Sequence, residues 1–242
     1  VVSALGKVGS TDDETALLAA ATDADAGVRG EAALAFFRMR FLKRVPEYST
    51  AAVTKIAQMS ADPEAEVRWR AVYGASRWPE PRLAQALAAS QRDDDSRVRL
   101  FSVRALGKLA LAPDEALFLD EDLYVRAEAV AAFSAAKAWE RLPVSIFSDP
   151  SAHVRAAAAD AAGASGDAGR FGAPLEKLAA EPGTLAPGRA LLALAKLHRD
   201  GAAEILARAR KDPRWWVRAR AFEASAFLSD GGIILRNGVA DP

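Results

Sequence analysis

Two histidines, an acidic run at Asp93-Asp94-Asp95, a second at Asp120-Glu121-Asp122 and a glycine-rich stretch from Gly163 to Gly169 are the groups whose types suit metal binding, proton transfer or phosphate cradling. None has the company such chemistry needs. His153 and His198 stand far apart with no histidine or cysteine nearby, whereas a metal site takes several converging ligands. The chain has no cysteine, which excludes disulfides and thiolate metal sites. Its serines lack a G-x-S-x-G setting, and no glycine-rich phosphate loop follows a strand. The expectation is a chain that is not an enzyme and that holds no metal or cofactor.

The charged residues that do recur form a phrase, an aspartate five residues before a Val-Arg pair. The copies are Asp23 with Val28-Arg29, Asp62 with Val67-Arg68, Asp93 with Val98-Arg99, Asp120 with Val125-Arg126, Asp149 with Val154-Arg155, and Asp212 with Val217-Arg218. Their arginines fall 27 to 39 residues apart except for a last step of 63. Such a period is the mark of a solenoid. A decayed copy fills the long step near Gly188-Arg189, where Ala190 to Leu197 keeps the helical part and the aspartate is lost.

The elements that position the phrase follow from its flanks. After each Val-Arg, small or apolar residues return at helical spacing, as in Val98, Ser102, Val103, Ala105 and Leu106, so the segment is an amphipathic helix, helix B. Before each aspartate lies a shorter apolar segment, helix A: Glu14 to Thr22, Ala51 to Ser60, Arg82 to Ser90, Glu115 to Leu119, Val144 to Phe147 and Ala202 to Ala209. Asp-Pro at 62–63, 149–150 and 212–213 makes the turn between them, because proline disfavours a helical residue before it. Two residues past the aspartate stand Asp25, Glu64, Asp95, Asp122 and Ser151, acceptors suited to capping helix B. The phrase aspartate is then left partly free, within reach of a neighbouring repeat's arginine. The expected fold is all-α, an α-solenoid of stacked antiparallel helical hairpins with the Val-Arg helices on its inner layer. Residues 1-242 are read as a single array of six clear repeats and one degenerate repeat near 170-198.

At these residues the chain resembles the HEAT repeats, including the HEAT-like arrays of phycobilin lyases. The matching wording is the D-x-x-x-x-V-R phrase and the alanine-rich stripe after it, best seen in DSRVRLFSVRALGKLA, Asp95 to Ala110. The resemblance covers nearly the whole chain and implies an Asp–Arg ladder from repeat to repeat, broken at Gly183 and Arg189. EVRWRAVYGASR, Glu66 to Arg77, is also similar to bacterial HEAT arrays fused to cyclophilin-type prolyl isomerases, although nothing here resembles the cyclophilin domain. Ala4 to Val8 matches Ala105 to Leu109 inside a helix B, and Asp241-Pro242 falls where a further phrase would start. The chain therefore reads as an internal fragment of a longer array.

Composition narrows the function. The hydrophobic share of 51% supplies a core, much of it alanine, and no apolar run or signal peptide calls for a membrane or an export route. Compartment stays open. Formal charge is +0, whereas phosphate binding asks for a basic excess, so a nucleic-acid array similar to HEAT-like DNA glycosylases is the weaker reading. A third reading is the accessory arm of a prolyl isomerase or a bilin lyase-like enzyme. The leading one is a monomeric scaffold for a protein or peptide. Its surface is expected on helices B at offsets 2, 3, 6 and 10 from the valine: Trp69, Arg70, Tyr73 and Arg77, then Leu100, Phe101, Arg104 and Lys108. Trp, Tyr and Arg are the residues that anchor interfaces.

Overall fold

The computed structural model describes residues 1–197 and 201–226; His198 and Asp241-Pro242 lie outside them. Among the described residues the chain is helical throughout, without a strand, and is a helical-repeat solenoid. Its contacts gather into two units, 1–117 and 118–242.

In the first unit α1 (Val2–Val8), α3 (Ala26–Phe41), α5 (Ala65–Arg77) and α7 (Ser96–Lys108) pack side by side in that order. α2 (Glu14–Ala20), α4 (Thr50–Met59) and α6 (Ala84–Ser90) each fold back on the helix that follows. The phrase valines anchor this layer, since Val67 and Val98 are fully buried. Burying such a side chain contributes about 1.5–3 kcal/mol. Close approach depends on small residues: a Cβ on Gly6 would sit 2.7 Å from the Cα of Ala35, so α1 lies against α3 backbone to backbone.

In the second unit the layer is α8 (Leu123–Ala135), α9 (Ala152–Ser165), α11 (Leu185–Lys196) and α13 (Trp215–Ser225), with α10 (Ala168–Ala179) and α12 (Ala202–Ala209) folded back on α11 and α13. The decayed copy thus builds a complete hairpin. Five buried alanines on α9, at 156, 158, 159, 161 and 162, let α11 approach it closely. A Cβ on Gly163 would lie 3.0 Å from the Cα of Ala193.

Two expectations need correction. Glu115–Leu119 and Val144–Ser148 are five-residue 3₁₀ segments rather than α-helices. The steps of 27 and 29 residues that contain them are the shortest in the chain, and Pro113 and Pro143 stand just ahead, so too few residues remain for a full helix A. Their aromatic rings do the packing, with Phe118 against Phe133 at 4.7 Å and Phe147 against Phe171 at 5.9 Å. Capping is the second. Asp25, Asp95, Asp122 and Ser151 accept backbone N–H groups at the start of helix B, but Glu64 makes no such bond. Its side chain is one methylene too long for the tight local loop that Asp or Ser closes.

Candidate binding surface

Every phrase closes its own turn twice. The aspartate carboxylate accepts the backbone N–H two residues on, from Asp25, Glu64, Asp95, Asp122, Ser151 and Arg214, at 2.7–2.9 Å. The phrase aspartate is therefore engaged rather than partly free. Nη1 of the arginine then donates to the two carbonyls that open the same turn: Arg29 to Asp23 and Ala24, Arg68 to Asp62 and Pro63, Arg99 to Asp93 and Asp94. Arg126, Arg155 and Arg218 repeat the pattern on Asp120, Asp149 and Asp212 and the residues after them.

The remaining edge of the guanidinium reaches forward to the next repeat. Arg29 forks onto Asp62 at 2.8 and 2.9 Å, Arg68 onto Asp93 at 2.6 and 2.9 Å, and Arg126 onto Asp149 at 2.8 and 3.0 Å. Paired bonds of this kind are strong because a planar fork meets a planar carboxylate. The Arg29 bonds hold the Asp62 carboxyl below the usual range against burial, which works the other way. At Asp149 burial pushes the carboxyl up, and the Arg126 fork and the Ser151 N–H outweigh it.

Around the decayed copy the pattern changes. Arg155 meets Glu181 at 3.2 Å, with its Nε lacking hydrogen-bond geometry. Arg189 lies 3.6 Å from Asp160, both half-exposed. Asp212 is held by Arg214 of its own turn at 2.9 and 3.0 Å, which brings its carboxyl down to about 2. Glu181 was not foreseen, since it stands two residues before the slot that Gly183 occupies.

Several of the acids singled out in the sequence serve the turns and helix starts. Asp93 and Asp120 brace their own turns, Asp95 and Asp122 cap helices, and His153 is exposed with its ring 6.1 Å from Tyr124. Gly166 ends α9 in the left-handed conformation and Asp167 caps α10, so the glycine-rich stretch is an inter-helix connection. Among the described residues no three acids or histidines converge as metal ligands, and no helix is long and apolar enough to cross a membrane.

The eight residues expected on the helix B face lie together on α5 and α7. Trp69, Arg70, Tyr73, Leu100, Phe101 and Arg104 are half-buried, while Arg77 and Lys108 are exposed. The rings cover one another: Tyr73 meets Phe101 edge-on at 5.1 Å, and Trp69 lies 5.9 Å from Tyr73 and 6.3 Å from Phe101. The strip continues onto α3, where Phe37 meets Tyr73 at 5.9 Å and Phe41, half in solvent, meets Phe37 at 5.5 Å. Phe41 was missed because α3, at 16 residues, outruns the 13 of α5 and α7, and Phe37 because it stands nine residues after Val28, between the offsets 6 and 10.

Cations line the strip. Arg70 and Arg97 lie 5.8 and 5.3 Å from the Trp69 ring, and Arg104 lies 5.4 Å from Phe101. Glu66 accepts from the Trp69 indole at 2.6 Å and from Arg70, and Glu31 accepts from Arg70 at 3.0 Å. Lys108 donates to the Ser76 carbonyl. Trp215 is a separate exposed ring, 67% accessible, edge-on to Trp216, which packs on the core of the last hairpin.

No protein-family profile matches this sequence, and no curated protein matches it. Among solved structures it is similar to YibA of Escherichia coli, with a TM-score of 0.67 at 16% identity over 92% of this chain and 84% of that one. An engineered protein aligns with a TM-score of 0.55 at 17% identity over 98% of this chain and 76% of that one. At such identities the likeness speaks for the fold alone.

Proposed function

We propose that this chain is a non-catalytic HEAT-type scaffold, one array through both units, that binds a protein or peptide through the helix B face of its first unit. The HEAT assignment is supported by the phrase geometry, in which each arginine closes its own turn and Arg29, Arg68 and Arg126 also fork onto the next repeat's aspartate. The binding reading rests on one observation, the aromatic strip from Phe41 through Phe37, Tyr73 and Trp69 to Phe101, crossing three successive helices with cations along it. Large rings that remain partly accessible beside arginines are what interface anchors are made of. The neutral net charge weighs against nucleic acid as the partner.

A displayed random-peptide library selected on the wild-type chain and counter-screened on Trp69→Ala/Tyr73→Ala/Arg104→Ala tests this. Enriched peptides should lose the triple variant while its melting temperature stays near wild type. Peptides that bind both proteins equally would place the site elsewhere.

A further inference from the structure

The first unit is neutral as a whole, with sixteen basic and sixteen acidic residues between 1 and 117, yet its charges are segregated. Most acids sit in the turns and at the starts of helices A, where they cap and brace. On α3, α5 and α7 only Glu31 and Glu66 are acidic. Arg29, Arg68 and Arg99 are tied to the phrase turns, and Arg40 turns away onto Trp78 and the Val45 carbonyl. Arg97 closes onto the Asp95 carboxylate that caps α7, so five cations stand on these helices against two acids: Arg38, Arg70, Arg77, Arg104 and Lys108. The corresponding helices of the second unit, α8, α9, α11 and α13, carry three of each outside the phrase. The excess belongs to the helices that carry the aromatic strip.

Three of these cations share one position in their repeats. Arg38, Arg77 and Lys108 each stand ten residues after the valine of their own repeat, Val28, Val67 and Val98. Equal offsets place the three on corresponding faces of their own helices. Arg38 donates to Glu31 of its own helix and to Ser3 of α1, Lys108 reaches across to the Ser76 carbonyl of α5, and Arg77 is exposed with no ion-pair partner among the described residues. Adjacent packed helices lie about 8–10 Å apart. A polyproline II chain has three residues per turn and rises about 3.1 Å per residue, so its residues i, i+3 and i+6 share one face about 9 Å apart. The two repeats match. A β-strand presents a face every second residue, about 7 Å apart, and drifts out of step after one helix.

Resting on the scaffold reading above, we infer that the partner segment is an acidic polyproline II stretch with carboxylates at i, i+3 and i+6. It lies across α3, α5 and α7 with its acids on Arg38, Arg77 and Lys108, and its intervening apolar side chains on Phe37 and Tyr73, the rings within one helical turn of those cations. Such a chain is ordered before it binds, so little conformational entropy is lost in docking.

Fluorescence anisotropy with four labelled probes tests the inference. The first is a ten-residue peptide of Pro and Leu carrying Glu at i, i+3 and i+6. The second has the same composition with its three Glu consecutive, the third has Gln for Glu, and the fourth is a twelve-nucleotide single-stranded DNA. The spaced peptide should bind the wild-type chain about tenfold more tightly than the consecutive or Gln peptides, and Arg77→Glu should weaken it by a similar factor. Arg77 is exposed, so the variant should melt like wild type. Equal binding of spaced and consecutive peptides overturns the register, and tighter DNA binding overturns the peptide chemistry. Equal binding of the Gln peptide, still lost in Trp69→Ala/Tyr73→Ala/Arg104→Ala, overturns the acidic partner and leaves the scaffold reading standing. No binding by any peptide overturns the inference outright.

Discussion

Arg126 and Asp149 meet through two parallel hydrogen bonds, Nε to Oδ2 at 2.8 Å and Nη2 to Oδ1 at 3.0 Å, with both side chains nearly withdrawn from solvent at 12% and 7% accessibility. The same guanidinium holds the Asp120 carbonyl at 2.8 Å. One side chain thus fixes its own turn and ties it to the following repeat.

Arg126→Ala should therefore destabilise strongly. It strands the Asp149 carboxylate, and breaking a largely buried pair costs about 3 kcal/mol. Arg92 pairs with Asp114 while 83% exposed, so Arg92→Ala should stay within about 0.5 kcal/mol of wild type. Urea titrations of the two variants compare them directly. Matching midpoints would mean that the fork adds no stability.

Acid should expose the same pairs. Asp62, Asp95 and Asp149 are held below the ordinary aspartate value of 3.8, and Asp212 is brought down to about 2. A carboxyl whose folded value is depressed contributes stability that is complete above its unfolded value and is lost as pH falls through the folded one. The melting temperature should be level down to about pH 5 and decline between pH 4 and pH 2. Arg126→Ala should decline less than wild type over that window, because its contribution at Asp149 is already gone. A parallel decline would assign the acid sensitivity to other groups.

Gly6→Val should loosen the first unit. Even a Cβ would lie 2.7 Å from the backbone of Ala35, and a helix backbone cannot move aside as a flexible side chain can. Overpacking of this kind costs about 1–3 kcal/mol. An unchanged thermal midpoint would show that α1 detaches from α3 without consequence.

Hydrogen exchange should begin in α12 and α13. Asp212 is closed onto Arg214 in its own turn, and Arg189 spends its charge on the half-exposed Asp160. No fork like that of Arg126 reaches this hairpin from α11. Local stability follows such contacts, so these amides should open before those of α9, whose alanine-rich face is buried. Slower exchange in α13 than in α9 would sink the idea.

The repeat itself was legible in the sequence because its determinants are local. Asp-Pro turns, an acceptor two residues past the aspartate and a 3.6-residue apolar stripe each act within a few residues, so spacing alone located helix B in all six copies. The forks depend on where the neighbouring helix stands. Arg126 proved to reach forward to Asp149, while its own aspartate serves the turn through its carbonyl. The collapse of two helices A to 3₁₀ segments came from chain length between anchors, a global constraint that an apolar stretch does not announce. Glu181 reaches Arg155 from outside the phrase register, which only packing reveals. The aromatic strip follows the same division. The sequence placed Trp69 and Tyr73 on one face of α5 and Phe101 on the like face of α7, since a face is set by periodicity, but Phe41 was added by the extra turn of α3 and Phe37 by the close approach of α3 to Gly74, where a Cβ would meet Phe37 at 3.0 Å. Periodicity determines which side of a helix is buried; distance between helices, which no single helix encodes, decides which side chains meet across it.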